Sequence, residues 1–416
     1  MASISYMSSH SCRFCSAKLE HAVVDLGMSP LCESFLSEAE VDGVEAFYPL
    51  RVEVCQACLL VQLPAYVMRE RIFTEYAYFS SYSEAWLAHA RAYVAMICER
   101  EALTGNSFVV ELASNDGYLL KNFVERGIPC LGIEPAANVA SVARERGVPC
   151  DVAFFDDKKA QQLKAAGKSA DLLIANNVLA HVPDLNTFVA GIANLLKPLG
   201  TVTAEFPHLQ RLFEGNQFDT IYHEHFSYFS LLTIERVFAK HGLTVFDVEE
   251  LWTHGGSLRI YARHRADASR PATAAVQALR DREIMLGFDR IETYTRFEEQ
   301  VRATKRSLLA LLSEAKRAGK RIVGYGAPGK SATLLNYCGI RTDFLDFTVD
   351  KNPYKHGRYC PGTHIPILHP DALDAARPDY ILILPWNVKD EIMAQLAHAR
   401  GWGARFIIPI PVATVV

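Results

Sequence analysis

The sequence predicts an α/β protein built on a doubly wound, mostly parallel sheet, with a small cysteine-bearing region before it and a second α/β unit after it. Three observations carry this reading. Short apolar runs alternate with helical patterns between about residues 80 and 265. Two Cys-x2-Cys pairs punctuate a turn-rich N-terminal segment, and a fresh strand–helix series begins at Arg321. Strands of a parallel sheet are covered by helices on both faces, so they read as short, continuous apolar runs.

The predicted strands of the first sheet are Phe108-Val109-Val110-Glu111-Leu112, Cys130-Leu131-Gly132-Ile133, Asp171-Leu172-Leu173-Ile174 and Gly200-Thr201-Val202-Thr203-Ala204. Residues 270–318 interleave Arg and Glu in a helix-prone stretch and read as a helical connector. The second series contains Arg321-Ile322-Val323-Gly324-Tyr325, Phe344-Leu345-Asp346-Phe347-Thr348-Val349 and Tyr380-Ile381-Leu382-Ile383-Leu384. At 416 residues the chain is too long for one ordinary core. The expected division is 1–75, 76–265, 266–318 and 319–416.

Lys and Arg total 43 against 47 Asp and Glu, a formal charge of -4. That balance gives no general attraction to nucleic acid or anionic membrane. The first twenty residues hold no long apolar run, and no stretch is long enough to span a bilayer. A cytoplasmic protein is expected, with no nucleic-acid or membrane partner and no need for a partner subunit. Its ten cysteines then read as thiols or metal ligands before disulfides.

Cys12-Arg13-Phe14-Cys15 and Cys55-Gln56-Ala57-Cys58 form two knuckles. Each turns both sulfurs towards one point, and two knuckles complete a tetrahedron suited to structural zinc. With Cys12, Cys15, Cys55 and Cys58 all engaged, no coordination position remains for substrate. Cys32, between the knuckles, is expected to be a spare buried thiol.

The stretch Glu111-Leu112-Ala113-Ser114-Asn115-Asp116-Gly117 places an acid at a strand end and then a turn of small residues. About twenty residues further, Gly132-Ile133-Glu134-Pro135 puts a carboxylate at the next strand end, where it can accept bonds from ribose hydroxyls. Phe154-Phe155-Asp156 is positioned to flank an adenine, and Asn176-Asn177 to close the floor. The turn lacks Gly-x-Gly-x-x-Gly, against a nicotinamide dehydrogenase. Its carboxylates suit the ammonium and sulfonium of S-adenosylmethionine. This arrangement resembles the class I methyltransferase fold, with Glu111, Asn115, Asp116, Gly117, Glu134, Asp156, Asn176 and Asn177 as the expected cofactor residues.

Tyr222-His223-Glu224-His225 is dense in acid–base groups without the His-Glu-x-x-His spacing of a metalloprotease. Read as extended chain, it sets His223 and His225 on one face and Glu224 on the other. Gly324-Tyr325-Gly326-Ala327-Pro328-Gly329-Lys330-Ser331 satisfies a P-loop pattern, but no magnesium-binding acid is clearly placed after it. Its helix start and lysine still suit a diphosphate, with a purely structural turn as the alternative for Lys330.

The knuckles, the Glu-x-Ala-Ser-Asn-Asp-Gly motif, Tyr-His-Glu-His, His254-Gly255-Gly256-Ser257-Leu258-Arg259 and the Gly-Tyr-Gly-Ala-Pro-Gly-Lys segment follow one another in that order. Together they resemble the C-methyltransferases of nucleotide-linked 4-keto deoxysugars in antibiotic biosynthesis. The resemblance implies a dTDP-linked 3-amino-4-keto-2,3,6-trideoxyhexose, of the D-tetronitrose branch, methylated at C-3'. Such chemistry needs a base for the α-proton and donors for the enolate oxygen. His225 is the expected base and Tyr222 the alternative base or a donor. Glu224 is expected to orient a ring or meet the sugar amine, and His181 to share in stabilising the enolate. Tyr76, in the aromatic run before the sheet, is expected to contact substrate. Methylation of oxygen or nitrogen on another small metabolite stays open as the alternative.

Overall fold

A computed structural model describes residues 11–73, 81 and 84–416. The central sheet has seven strands in the order Leu243–Leu251, Ser257–His264, Leu196–Pro207, Ala170–Asn176, Val109–Leu112, Cys130–Glu134, Cys150–Val152. Ser257–His264 runs antiparallel to both its neighbours, and the four remaining pairings are parallel, so six strands share one direction. The chain winds outward from Val109–Leu112 through two strands, then returns to Ala170–Asn176 on its other side. That reversal is the switch point at which a doubly wound sheet opens a crevice beyond its strand ends. Val109–Leu112 is buried at all four positions, as its apolar run requires.

The second large sheet is mixed. Its order is Arg358–Tyr359, Pro366–Leu368, Thr348–Val349, Ile322–Tyr325, Tyr380–Ile383, Arg405–Ile408, Thr414–Val415, with antiparallel pairs only at the two edges. Only Thr348–Val349 of the expected run 344–349 forms a strand, because residues 342–344 turn instead. The segment before this sheet carries the helices Ala274–Met285, Ile291–Thr295 and Phe297–Arg317. No helix among the described residues is long and apolar enough to cross a membrane.

The N-terminal region holds more regular structure than its turns suggest. His21–Ser29, Tyr48–Val54 and Val61–Gln62 form an antiparallel sheet whose fourth strand, Ser227–Tyr228, comes from the far side of the sequence. His21–Ser29 hides its alternation behind two register shifts, which is why it does not read as a strand. The Arg13 guanidinium fastens this region to the central domain by donating to the carbonyl of Pro183 at 3.0 Å, while also donating to Leu63 O within its own region. Asn186 Nδ2 donates to the carbonyl of Phe14 at 2.9 Å. The knuckle region therefore braces the segment that precedes Ser227.

Candidate active site and metal centre

The four knuckle sulfurs lie within 4.8 Å of one another. Cys12 and Cys58 approach to 3.5 Å, as do Cys15 and Cys55. A tetrahedron with zinc–sulfur bonds of about 2.3 Å has edges of roughly 3.8 Å, so the set fits zinc. Gln62 Nε2 donates to Cys12 Sγ at 3.2 Å while its Oε1 accepts from Arg13 N at 2.9 Å. Such outer contacts fix the orientation of a ligand thiolate. Cys32 stands apart from the metal site.

Beyond the strand ends of the central sheet lies a cavity of about 370 Å³. Asn115, Glu134, Asn176 and Asn177 line one side, with Phe154 and Phe155 beside them. His181, Tyr222, Glu224 and His225 line it further along, and Pro328, Gly329 and Lys330 reach it from the second sheet. Tyr76 lies outside the described residues.

The motif turn is wound tightly, with Ala113, Asn115 and Gly117 all at positive φ (55°, 49° and 75°). Glu134 pins it. Its Oε2 accepts from Asn115 N and its Oε1 from Ala136 N, both at 2.9 Å. Burial pushes the Glu134 carboxyl up, and those two backbone donors oppose the push. Each oxygen retains a further lone pair for a ribose hydroxyl. Asn176 Oδ1 and Asn177 Nδ2 are buried with no hydrogen-bond partner among the described residues. One acceptor and one donor thus await a polar ligand, as the cofactor reading requires.

Four expected cofactor residues are not among those lining the cavity. Asp156 caps the helix Asp157–Ala165, accepting from Lys159 N at 2.8 Å; an Asp ahead of a helix has this alternative always available. Asp116 is fully buried and pairs with Arg146 at 2.8 Å, behind the turn. Gly117 is required by packing, since a Cβ there would meet Val148 at 2.9 Å. Glu111 is buried on Val109–Leu112 with Oε2 unpartnered among the described residues, its carboxyl pushed well up by burial and then by Glu134. A carboxyl so placed is stabilised as its anion by a nearby cation.

The segment Tyr222–His225 is a turn, not extended chain, and His225 N donates to Tyr222 O at 2.9 Å. The two histidines consequently part company. His223 faces the N-terminal sheet, with Nε2 3.1 Å from Pro49 O and its ring edge-on to Tyr48. Glu224 and His225 face the cavity. His225 Nδ1 lies 2.9 Å from Thr220 O. A carbonyl can only accept, so Nδ1 carries the proton and Nε2 presents its lone pair. Burial, and next the His181 ring 4.7 Å away between centroids, hold His225 well below the usual histidine range. Burial likewise takes His181 down to about 4 and pushes the Tyr222 phenol well up.

Several cavity residues lie outside the expected site set, although His254 opens one of the motifs quoted above. Cys32 is buried with Sγ 3.4 Å from Glu224 Oε1, and Glu33 beside it reaches Gly329 and Lys355. Arg69 lies 4.5 Å from the ring centroid of Phe154. Trp86 and His254 complete the wall. Their neighbours are distant in sequence, so only the fold brings them together. Lys330 packs over Trp386 at 4.4 Å and donates to Asn387 Oδ1. Burial lowers it to about 8, opposed by Asp219. Ser331 Oγ donates to Pro328 O at 2.7 Å, and Asp350 accepts from Ala327 N and Asn352 N. The P-loop hydroxyl and Asp350 are thus tied to backbone.

A switch-point crevice, an acid gripping the motif turn and a single reversed strand define an S-adenosylmethionine-dependent class I methyltransferase. A zinc-binding domain is joined to it. The chain matches the families described as "Putative zinc binding domain" over residues 12–73, "Methyltransferase domain" over 86–248 and "C-methyltransferase C-terminal domain" over 252–411. The C-methyltransferase NovU of Streptomyces niveus is 35% identical over 405 residues, covering 97% of this chain and 96% of that one. A ubiquinone biosynthesis O-methyltransferase of Agrobacterium fabrum is 30% identical over 100 residues, 23% of this chain and 39% of that one. Among solved structures, the magnesium protoporphyrin IX methyltransferase of Synechocystis PCC 6803 aligns at 15% identity, covering 42% of this chain and 78% of that one, with a TM-score of 0.33. The chain belongs to the S-adenosylmethionine-dependent C-methyltransferases related to NovU.

Glu134→Gln is expected to weaken cofactor binding. Loss of one or two charge-assisted hydrogen bonds, about 1.5–3 kcal/mol each, raises the dissociation constant by at least about tenfold. Isothermal titration with adenosylmethionine checks this, and an unchanged constant would remove Glu134 from the ribose site.

Proposed function

We propose that the enzyme methylates C-3' of a dTDP-linked 3-amino-4-keto-2,3,6-trideoxyhexose, as in the branch leading to D-tetronitrose, and acts as a cytoplasmic monomer. The observation that carries this reading is the cavity itself. It joins a cofactor side, at Asn115 and Glu134, to a cluster of acid–base groups and then to Lys330, at the start of the helix Gly329–Cys338 that follows a strand of the second sheet. An elongated substrate with a reactive carbon at one end and an anionic diphosphate at the other fits that order. Adenosylmethionine supplies the methyl group as an electrophile on sulfonium.

The chain's own residues prepare the nucleophile. His225 removes the α-proton through Nε2, the nitrogen its bond to Thr220 leaves free. Tyr222 and His181 donate to the oxygen on which charge develops. Glu224 meets the sugar amine, Tyr76 contacts the substrate, and Lys330 takes the diphosphate. Mass spectrometry of dTDP-ketosugars incubated with methyl-labelled cofactor tests the substrate. Label in the 3-amino-4-keto sugar is expected; its absence there, with transfer to an unrelated acceptor, would overturn the assignment.

The pH profile follows from burial. A base held well below the ordinary histidine range is neutral, and therefore competent, from neutral pH down through about 6.5. Activity requires the unprotonated form, so kcat/KM should stay level across that span and fall only in more acidic buffer. An acidic limb centred at or above about 6.5 would show that the base is not this buried ring.

A further inference from the structure

We infer that His254 is a further catalytic residue, touching the hexose and donating a hydrogen bond to its ketone oxygen as the enolate forms. This rests on the ketosugar reading above. His254 lines the cavity and is open to it, and no hydrogen bond to a described residue engages its ring nitrogens. Its ring stands edge-on to Trp86, with centroids 5.2 Å apart. Electrostatically it feels Glu205 and then Lys330, and it is felt by both His181 and His225. It therefore shares one cavity with the group assigned to the diphosphate and the groups assigned to the reacting carbon.

The backbone is committed to presenting this ring. His254 has φ 53° and ψ 22°, a left-handed conformation uncommon for non-glycine residues, though His, Asn and Asp adopt it more often than the rest. The turn is held from several directions. Gly256 N and Ser257 Oγ both donate to Thr253 O, at 2.9 and 3.0 Å. Thr253 Oγ1 donates to Glu205 Oε1 at 3.0 Å, and Gln217 Nε2 to Gly255 O at 2.7 Å. Glu205 is itself fixed by Arg259 at 3.0 Å and His89 at 3.1 Å, and its carbonyl accepts from Asn177 N. A left-handed residue so thoroughly held, lining a cavity, fits the pattern of a functional site. Burial lowers the His254 pKa, with Glu205 opposing, so the ring acts as a neutral N–H donor.

The step balances within the substrate and two side chains. The α C–H bond breaks and its proton passes to His225 Nε2. The electron pair forms the C=C bond, and the carbonyl π pair moves to oxygen, where the His254 N–H meets it. No proton leaves His254.

The test uses His254→Gly, which accepts the positive φ freely, and His254→Asn, which tolerates it. Cofactor affinity by titration reports that each variant is folded. With the dTDP-linked 3-amino-4-keto sugar, kcat and exchange of the α-proton with solvent deuterium should fall together by about 10²–10³-fold, with KM little changed. Added imidazole should restore part of the His254→Gly rate. Retained kcat, or a loss confined to KM, in a variant that binds cofactor normally would overturn the proposal. Failure of the wild-type enzyme to methylate this sugar would instead defeat the substrate reading.

Discussion

His225→Asn should lose about 10²–10⁴-fold in methyl transfer, the usual range for removing a general base. The same factor should appear in exchange of the substrate α-proton with solvent deuterium, because that exchange needs the base and not the methyl transfer. Cofactor affinity should barely change, since His225 contacts Thr220 O and the cavity rather than Asn115 or Glu134. Tyr222→Phe gives the contrast. As a donor to the enolate oxygen its loss should cost about 10²–10³-fold, with the pH profile unaltered. Were tyrosinate the base, its pKa would have to fall from well above 10, where burial holds it. Near-normal exchange in His225→Asn together with abolished exchange in Tyr222→Phe would establish that reversal.

Removing zinc should have the second large effect. Structural zinc in small peptides contributes an apparent 10–16 kcal/mol to folding. Here the metal closes the two knuckles of a region that lends Cys32 and Glu33 to the cavity and pairs Val61–Gln62 with Ser227–Tyr228. Chelation, or Cys58→Ser, should therefore unfold the N-terminal sheet and release the Tyr222–His225 turn, abolishing turnover. Elemental analysis should find one zinc per chain in the untreated enzyme. Full activity in protein shown to be metal-free would contradict this role.

What could be read from the sequence was local. The strands Val109–Leu112 and Ile322–Tyr325 are buried throughout, so their apolar runs announce them directly. The knuckles declare themselves through spacing, because two sulfurs per turn must converge. Long-range packing was less legible. Cys32 looked spare because nothing near it in sequence shows that Glu224 will lie 3.4 Å away. Asp156 suits both a ligand contact and a helix cap, and only the position of Lys159 N decides which. His223 and His225 were placed together by assuming extended chain, and one turn hydrogen bond separates them. His254 belongs to a glycine-rich turn whose left-handed residue is fixed by Glu205 and Gln217, neither of which a local reading would connect to it.

On the proposed function, the cavity makes a carbon nucleophile from a nucleotide-linked ketosugar. Carbon NMR of the product formed with methyl-¹³C adenosylmethionine tests it most directly. A labelled methyl coupled to C-3' of the sugar is expected, with the C-3' hydrogen gone. A labelled methyl bonded to the sugar's oxygen or amine nitrogen, with the C-3' hydrogen retained, would contradict it.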